Sequence, residues 1–175
     1  MRVLFLSVLL AAPAAADVDF DKDAREDLAL ISTCFDAAET SEAAQGCVNL
    51  TYEGCLGRMG REPIHPDQAG CNRRELALWD HLLSIQERNL EAWSVLKDNE
   101  IAQKAERSPF AHQTFLKAQE NWAKYRVAQC VFDVQQVAGG TAAITVGPHC
   151  EMDLVVERMF ALRAFLREIK IESQP

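Results

Sequence analysis

Apolar residues recur at three- and four-residue steps along most of the chain, and no sustained run alternates β-branched with polar residues. Leu28, Ile31 and Phe35 mark one buried face of a first helix over residues 23–38, with Asp17, Asp19, Asp21 and Asp23 placing acid before and at its positive end. A weaker helix is expected over 42–58, interrupted by Gly46 and Gly54. Leu76, Trp79, Leu83, Leu90 and Trp93 follow three-, four- and seven-residue steps, the stripe of a long helix over 71–107. Phe115, Ala118, Trp122, Tyr125 and Phe132 are read as the inward face of a helix over 109–138, and Met152, Val155, Met159, Leu162 and Leu166 as that of a last helix over 148–171.

The breaks between these segments have the expected chemistry. Thr40-Ser41 stops one helix and caps the next. Residues 57–70 hold three Gly and two Pro and read as a loop. Ser108 suits an N-cap and Pro109 a first helical turn. Gly139-Gly140 ends the following helix, and Pro148 opens the last one. Between them, 141–148 reads as a loop whose Ala142, Ala143, Ile144 and Val146 are apolar, so it either folds onto the core or presents an apolar tip to a partner. The expected fold is all-α, an antiparallel bundle of about five helices with no internal repeat.

The first sixteen residues change the compartment. Arg2, an apolar run from Val3 to Ala12 and the small residues Ala14-Ala15-Ala16 read as a signal peptide cleaved near Ala16, too short to span a membrane. Residues 17–175 are then a single exported domain, periplasmic or secreted. An oxidising compartment turns six cysteines into a disulfide framework. Cys34 and Cys47 flank the Thr40-Ser41 turn, Cys55 and Cys71 bracket the Gly/Pro-rich loop, and Cys130 and Cys150 bracket the 139–148 segment. Pairing each with its nearest neighbour closes three short loops, each worth about 3 kcal/mol in the chain-entropy description.

Charge narrows the partners. The formal net charge is −8, and Arg2 is the one charged residue of the leader, so its removal leaves −9. That balance argues against nucleic acid and anionic membranes and suits a basic protein, though solubility alone also accounts for it. No Cys-x-x-Cys pair occurs, and His65, His81, His112 and His149 are scattered, so neither a metal nor a cofactor is expected. The serines lie in no Gly-x-Ser-x-Gly turn and no pair of carboxylates can be placed across a cleft, so the chain does not read as an enzyme. Trp79, Trp93, Trp122 and Tyr125 lie on apolar stripes, which favours core packing over ligand stacking. Arg126 and Arg158 are expected to pair internally, with Asp133, Glu151 or Asp153, ahead of binding a carboxylate.

One ordered set of residues resembles a known family. Ala118-Gln119, Trp122, Tyr125-Arg126, Cys130, Gly139-Gly140-Thr141, Cys150 and Arg158, preceded by Cys71, Glu75-Leu76, Asp80 and Leu83, resemble the pattern of the LprI-like lysozyme inhibitor family over about residues 55–166. Leu83-Ser84 and Glu87-Arg88 depart from it, and the Cys34/Cys47 hairpin looks like an elaboration. The resemblance implies an exported, disulfide-bonded, all-α domain that inhibits lysozyme. The mechanism that follows is occlusion of a basic enzyme's cleft by a stapled loop, with Ile144, Val146, Glu151 and Asp153 as contact residues. The alternative is an envelope scaffold or binding protein without inhibitory activity.

Overall fold

The computed structural model describes residues 21–104, 110–137 and 140–172, and those residues contain six helices and no strand. The expected signal peptide, the Ser108-Pro109 restart and Gly139 lie outside the described residues. Helix α1 spans Lys22–Ala37, α2 Ser41–Gln45, α3 Tyr52–Gly57, α4 His65–Lys104, α5 Ala111–Gln136 and α6 Ala143–Glu172.

The start of α1 is capped by Asp21, whose carboxylate accepts from the Ala24 amide at 2.7 Å. Thr40 caps α2 in the same way through Ala43. The expected helix over 42–58 is two short helices. Asn49 between them has φ 67°, a left-handed conformation that asparagine tolerates and a continuous helix forbids. The Gly/Pro-rich loop is shorter than expected because α4 begins at His65, inside it. Asp67 reaches back to the Ile64 amide at 2.9 Å, half of a capping box, and Pro66 sits in the first turn, where its missing N–H costs nothing.

The three long helices run antiparallel, parallel and antiparallel by their pairings. Asp98 caps α5 by accepting from the Ala111 and His112 amides at 2.7 and 3.0 Å, and Asp80, further back on α4, meets Arg126, further on along α5. Cys130 meets Cys150, and the more N-terminal Gln119 meets Arg158, so α6 returns along α5. The buried core lies between α1, α4 and α6: Ile31, Phe35, Leu78, Trp79, Leu83, Leu90, Met152, Val155, Val156, Met159 and Leu162. Phe35 and Trp79 meet edge to face at 5.9 Å. Arg163 of α6 donates to the last carbonyls of α1, those of Phe35 and Ala38, satisfying acceptors that a helix end leaves open.

The three bridges are Cys34–Cys47, Cys55–Cys71 and Cys130–Cys150, with Cα separations of 5.9, 5.7 and 5.6 Å. They tie α1 to the turn that follows α2, α3 to α4, and α5 to α6.

Helix α5 departs from the expected orientation. Phe115 and Trp122 pack against the core, but Ala118 is exposed, and Tyr125 and Phe132 stand out at 53% and 62% exposure. The inward stripe is instead Phe115, Gln119, Trp122, Arg126, Gln129, Cys130 and Asp133. Apolar residues surround this helix, so the period alone does not choose a face. Its ion pairs and its disulfide do.

Candidate functional site

The stapled end of the bundle differs from the loop that was expected there. Residues 140–142 form a turn and 143 onward is helical, so Ile144, Val146 and Pro148 all lie on α6. The chain accommodates this because the amides of Ala143, Ile144, Thr145 and Val146 find acceptors at Gly140, Thr141 and Ala142. Pro148 is inside the helix and leaves the Ile144 carbonyl without its usual amide donor. Gly147 permits close approach: a Cβ there would meet Val134 Cγ2 at 3.3 Å.

The four nominated residues divide between two sides of α6. Val146 and Asp153 line a cleft of about 400 Å³ with Asp133, Gln136, Val137, His149 and Cys150. Glu151 lines a second cleft, about 250 Å³, with Val127, Cys130, Val131, Val134 and Gly147. Ile144 lies three residues before Gly147 and seven before Glu151, which places it on that second side, 39% exposed.

The charges here are unequally satisfied. Glu151 is 2.8 Å from Arg126, whose other amino group is 2.6 Å from Asp80. The internal partner expected for Arg126 is thus Glu151, and Asp80 adds a second from α4. Burial opposes the Arg126 charge, but Asp80 and Glu151 outweigh it and its pKa is raised. Among the described residues, the ion-pair partner of the Asp153 carboxyl is His149, at 3.5 Å, and burial holds that carboxyl above the usual range. Asp133 accepts from the side-chain amides of Gln129 and Gln136 at 3.1 and 3.5 Å.

Deeper in, two guanidinium groups lie over the Trp122 ring, those of Arg126 and Arg158, at 5.8 and 5.7 Å from its centroid. Gln119 donates to Glu87 and accepts from Arg158. Burial raises the Glu87 pKa and lowers that of Arg158, and each partly offsets the other. These side chains form a polar seam joining α4, α5 and α6.

Apart from Glu87, the seam is made of residues that carried the resemblance. Residues 55–162 match the family model described as Lysozyme inhibitor LprI. The chain belongs to this family. No curated protein and no solved structure matches it. The LprI match takes in the last residues of α3, all of α4 and α5 and most of α6, while α1 and α2 precede it. Within the matched span, Asp80, Gln119, Trp122, Arg126 and Arg158 face one another across the helix seam, and Cys130 and Cys150 close its end. The LprI pattern in this chain therefore describes how three helices are held in register.

The resemblance named Glu75 without indicating that it is buried. Glu75 is 1% exposed and accepts from the amide and hydroxyl of Thr51 at 3.0 and 2.9 Å and from the Trp79 indole at 3.3 Å. Its place four residues before Trp79 is the local signal for the bond to the indole. Among the described residues no group of three His, Cys, Asp or Glu is arranged to hold a metal ion, and no helix is long and apolar enough to cross a membrane.

Proposed function

We propose that this protein is an exported lysozyme inhibitor that acts by covering the cleft of the basic enzyme with the stapled α5–α6 end. The observation that carries the reading is the surface of that end: Phe132 and Ile144 are exposed, and carboxylates without a Lys or Arg partner among the described residues lie beside Val146 on a chain of net charge −8. The Cys130–Cys150 bridge fixes the end before binding, so little entropy is lost on association. Ile144, Val146 and Asp153 are the proposed contacts, and Glu151 acts through its ion pair with Arg126. The protein works by binding rather than by turning over a substrate. Calorimetric titration with a purified lysozyme tests this: a one-to-one complex weakened by added salt is expected, and no heat at either salt overturns it.

A second reading, an envelope protein that binds a partner without inhibiting it, draws on the inward placement of the LprI residues. Gln119, Trp122, Arg126 and Arg158 secure the fold, so family membership supports the scaffold as directly as it supports the inhibitory surface.

A further inference from the structure

We infer that the cleft between Val137, which caps the end of α5, and Val146 of α6 receives a lysine or arginine side chain of a basic partner protein, with Asp133 and Asp153 as its counter-charges. The inference rests on the protein-binding reading above and narrows it to one side of α6.

Three observations carry it. The cleft, about 400 Å³, has room for a long side chain, and its walls combine the apolar Val137, Val146 and Cys150 with the carboxyl groups of Asp133 and Asp153. That is the combination a lysine or arginine needs: apolar surface for the stem and acid for the head. Second, several other acids at the helix seams hold a cation, while Glu75 and Glu87 are bonded to the neutral donors of Thr51, Trp79 and Gln119. Asp27 holds Arg58 and Arg74, while Asp80 and Glu151 share Arg126. Among the described residues neither Asp133 nor Asp153 has a lysine or arginine within ion-pair distance, and the one charged-when-protonated neighbour is His149 at 3.5 Å from Asp153. Third, Phe132, next to Asp133, is 62% exposed, which gives an apolar margin to a surface of complementary charge. Asp153 is partly desolvated already, so an entering cation gains more from it than from a surface carboxylate. A second copy of this chain fits less well, because a net charge of −8 repels its own kind.

The test uses the oxidised protein and two probes. Butylguanidinium and the neutral butylurea are titrated while the Val137 and Val146 methyl and His149 ring resonances are followed by NMR. Saturable shifts with butylguanidinium alone, lost in the Asp133→Asn/Asp153→Asn variant while its melting temperature stays near wild type, are expected. Equal shifts with both probes, or none with either, overturn the inference. In the second arm a purified lysozyme is bound to both proteins, and the double variant is expected to lose at least about tenfold in affinity. Unchanged affinity in the variant overturns the cleft as a docking site and leaves the inhibitor reading standing. Absence of lysozyme binding by wild type, with the guanidinium shifts retained, removes the inhibitor reading and keeps the cleft for another basic protein. A wild-type dimer in sedimentation that Val146→Asp dissociates assigns the cleft to a second copy and overturns the inference.

Discussion

Arg126 on α5 reaches Glu151 on α6 at 2.8 Å, one residue beyond the bridge that joins the two helices at Cys130 and Cys150. The pair explains why a helix with apolar residues on every side settles with Tyr125 and Phe132 outward. Turning it to bury them would pull Arg126 from Glu151 and Asp80 together.

Replacement of Arg126 by Ala leaves Asp80 and Glu151 facing each other without a cation and removes one of the two guanidinium groups over Trp122. A loss of about 2 kcal/mol in urea unfolding is expected. Arg126→Lys, which keeps the charge but not the fork, should recover only part of it. Tyr125→Ala, on the exposed side of the same helix, should stay within about 0.5 kcal/mol of wild type.

Glu75 anchors the Asn49 turn to α4 through Thr51 and steadies the Trp79 indole. Glu75→Ala strands two backbone or hydroxyl donors and the indole N–H in the interior, and a loss of about 3 kcal/mol is expected. Thr51→Val keeps the amide donor to Glu75 and should cost about 1 kcal/mol. Chemical denaturation of the two variants side by side checks the order.

Replacing Cys130 and Cys150 together by Ala opens a bridge of sequence separation 20, for which the chain-entropy description gives a loss of about 3 kcal/mol. The polar seam spans α4 to α6 independently of the bridge, so the helix content seen by circular dichroism should persist at low temperature. Lysozyme binding should weaken more than the fold, because the stapled end loses its fixed geometry. Equal binding by the reduced-end variant would show that the contact surface lies elsewhere.

Glu87 and Asp153 should titrate above exposed carboxylates, because burial penalises their charged forms. A raised folded-state value means that the stability each contributes is present at low pH and is lost as pH rises through that value. Asp67 should show the opposite order. Its bonds to the Ile64 amide and Arg61 lower its pKa, so its contribution is lost as pH falls. Side-chain carboxyl NMR titration reads all three midpoints. Glu87→Gln should flatten the stability profile above the ordinary glutamate value of 4.5.

Much of this architecture was legible in the chain. The stripes Ile31–Phe35, Trp79–Leu83–Leu90 and Met152–Val155–Met159 are single-sided, so their period names the buried face, and the structure buries them. The cysteines were legible because each pair brackets a turn. The rotation of α5 was not, because its stripe is set by Gln119 and Arg126 finding polar partners far away in sequence. The α6 start was also hidden: Gly-Gly before an apolar run and Pro148 reads as a loop, whereas Ala142 and Gly140 supply enough acceptors to start a helix before the proline. Of the four residues nominated as contacts, Val146 and Asp153 share a cleft, while Ile144 and Glu151 lie on the other side of the helix. A loop has no sides, so this division could be seen only once the segment was known to be helical.

The measurement that bears most directly on the inhibitor reading is lysozyme turnover of intact cell walls, followed by turbidity, with the purified oxidised protein titrated in at low and high salt. Inhibition that saturates near one-to-one, weakens with salt, and is reduced by Ile144→Asp/Val146→Asp at an unchanged melting temperature is the expected result. Full lysozyme activity at a large excess of the folded protein, at both salt concentrations, would contradict it.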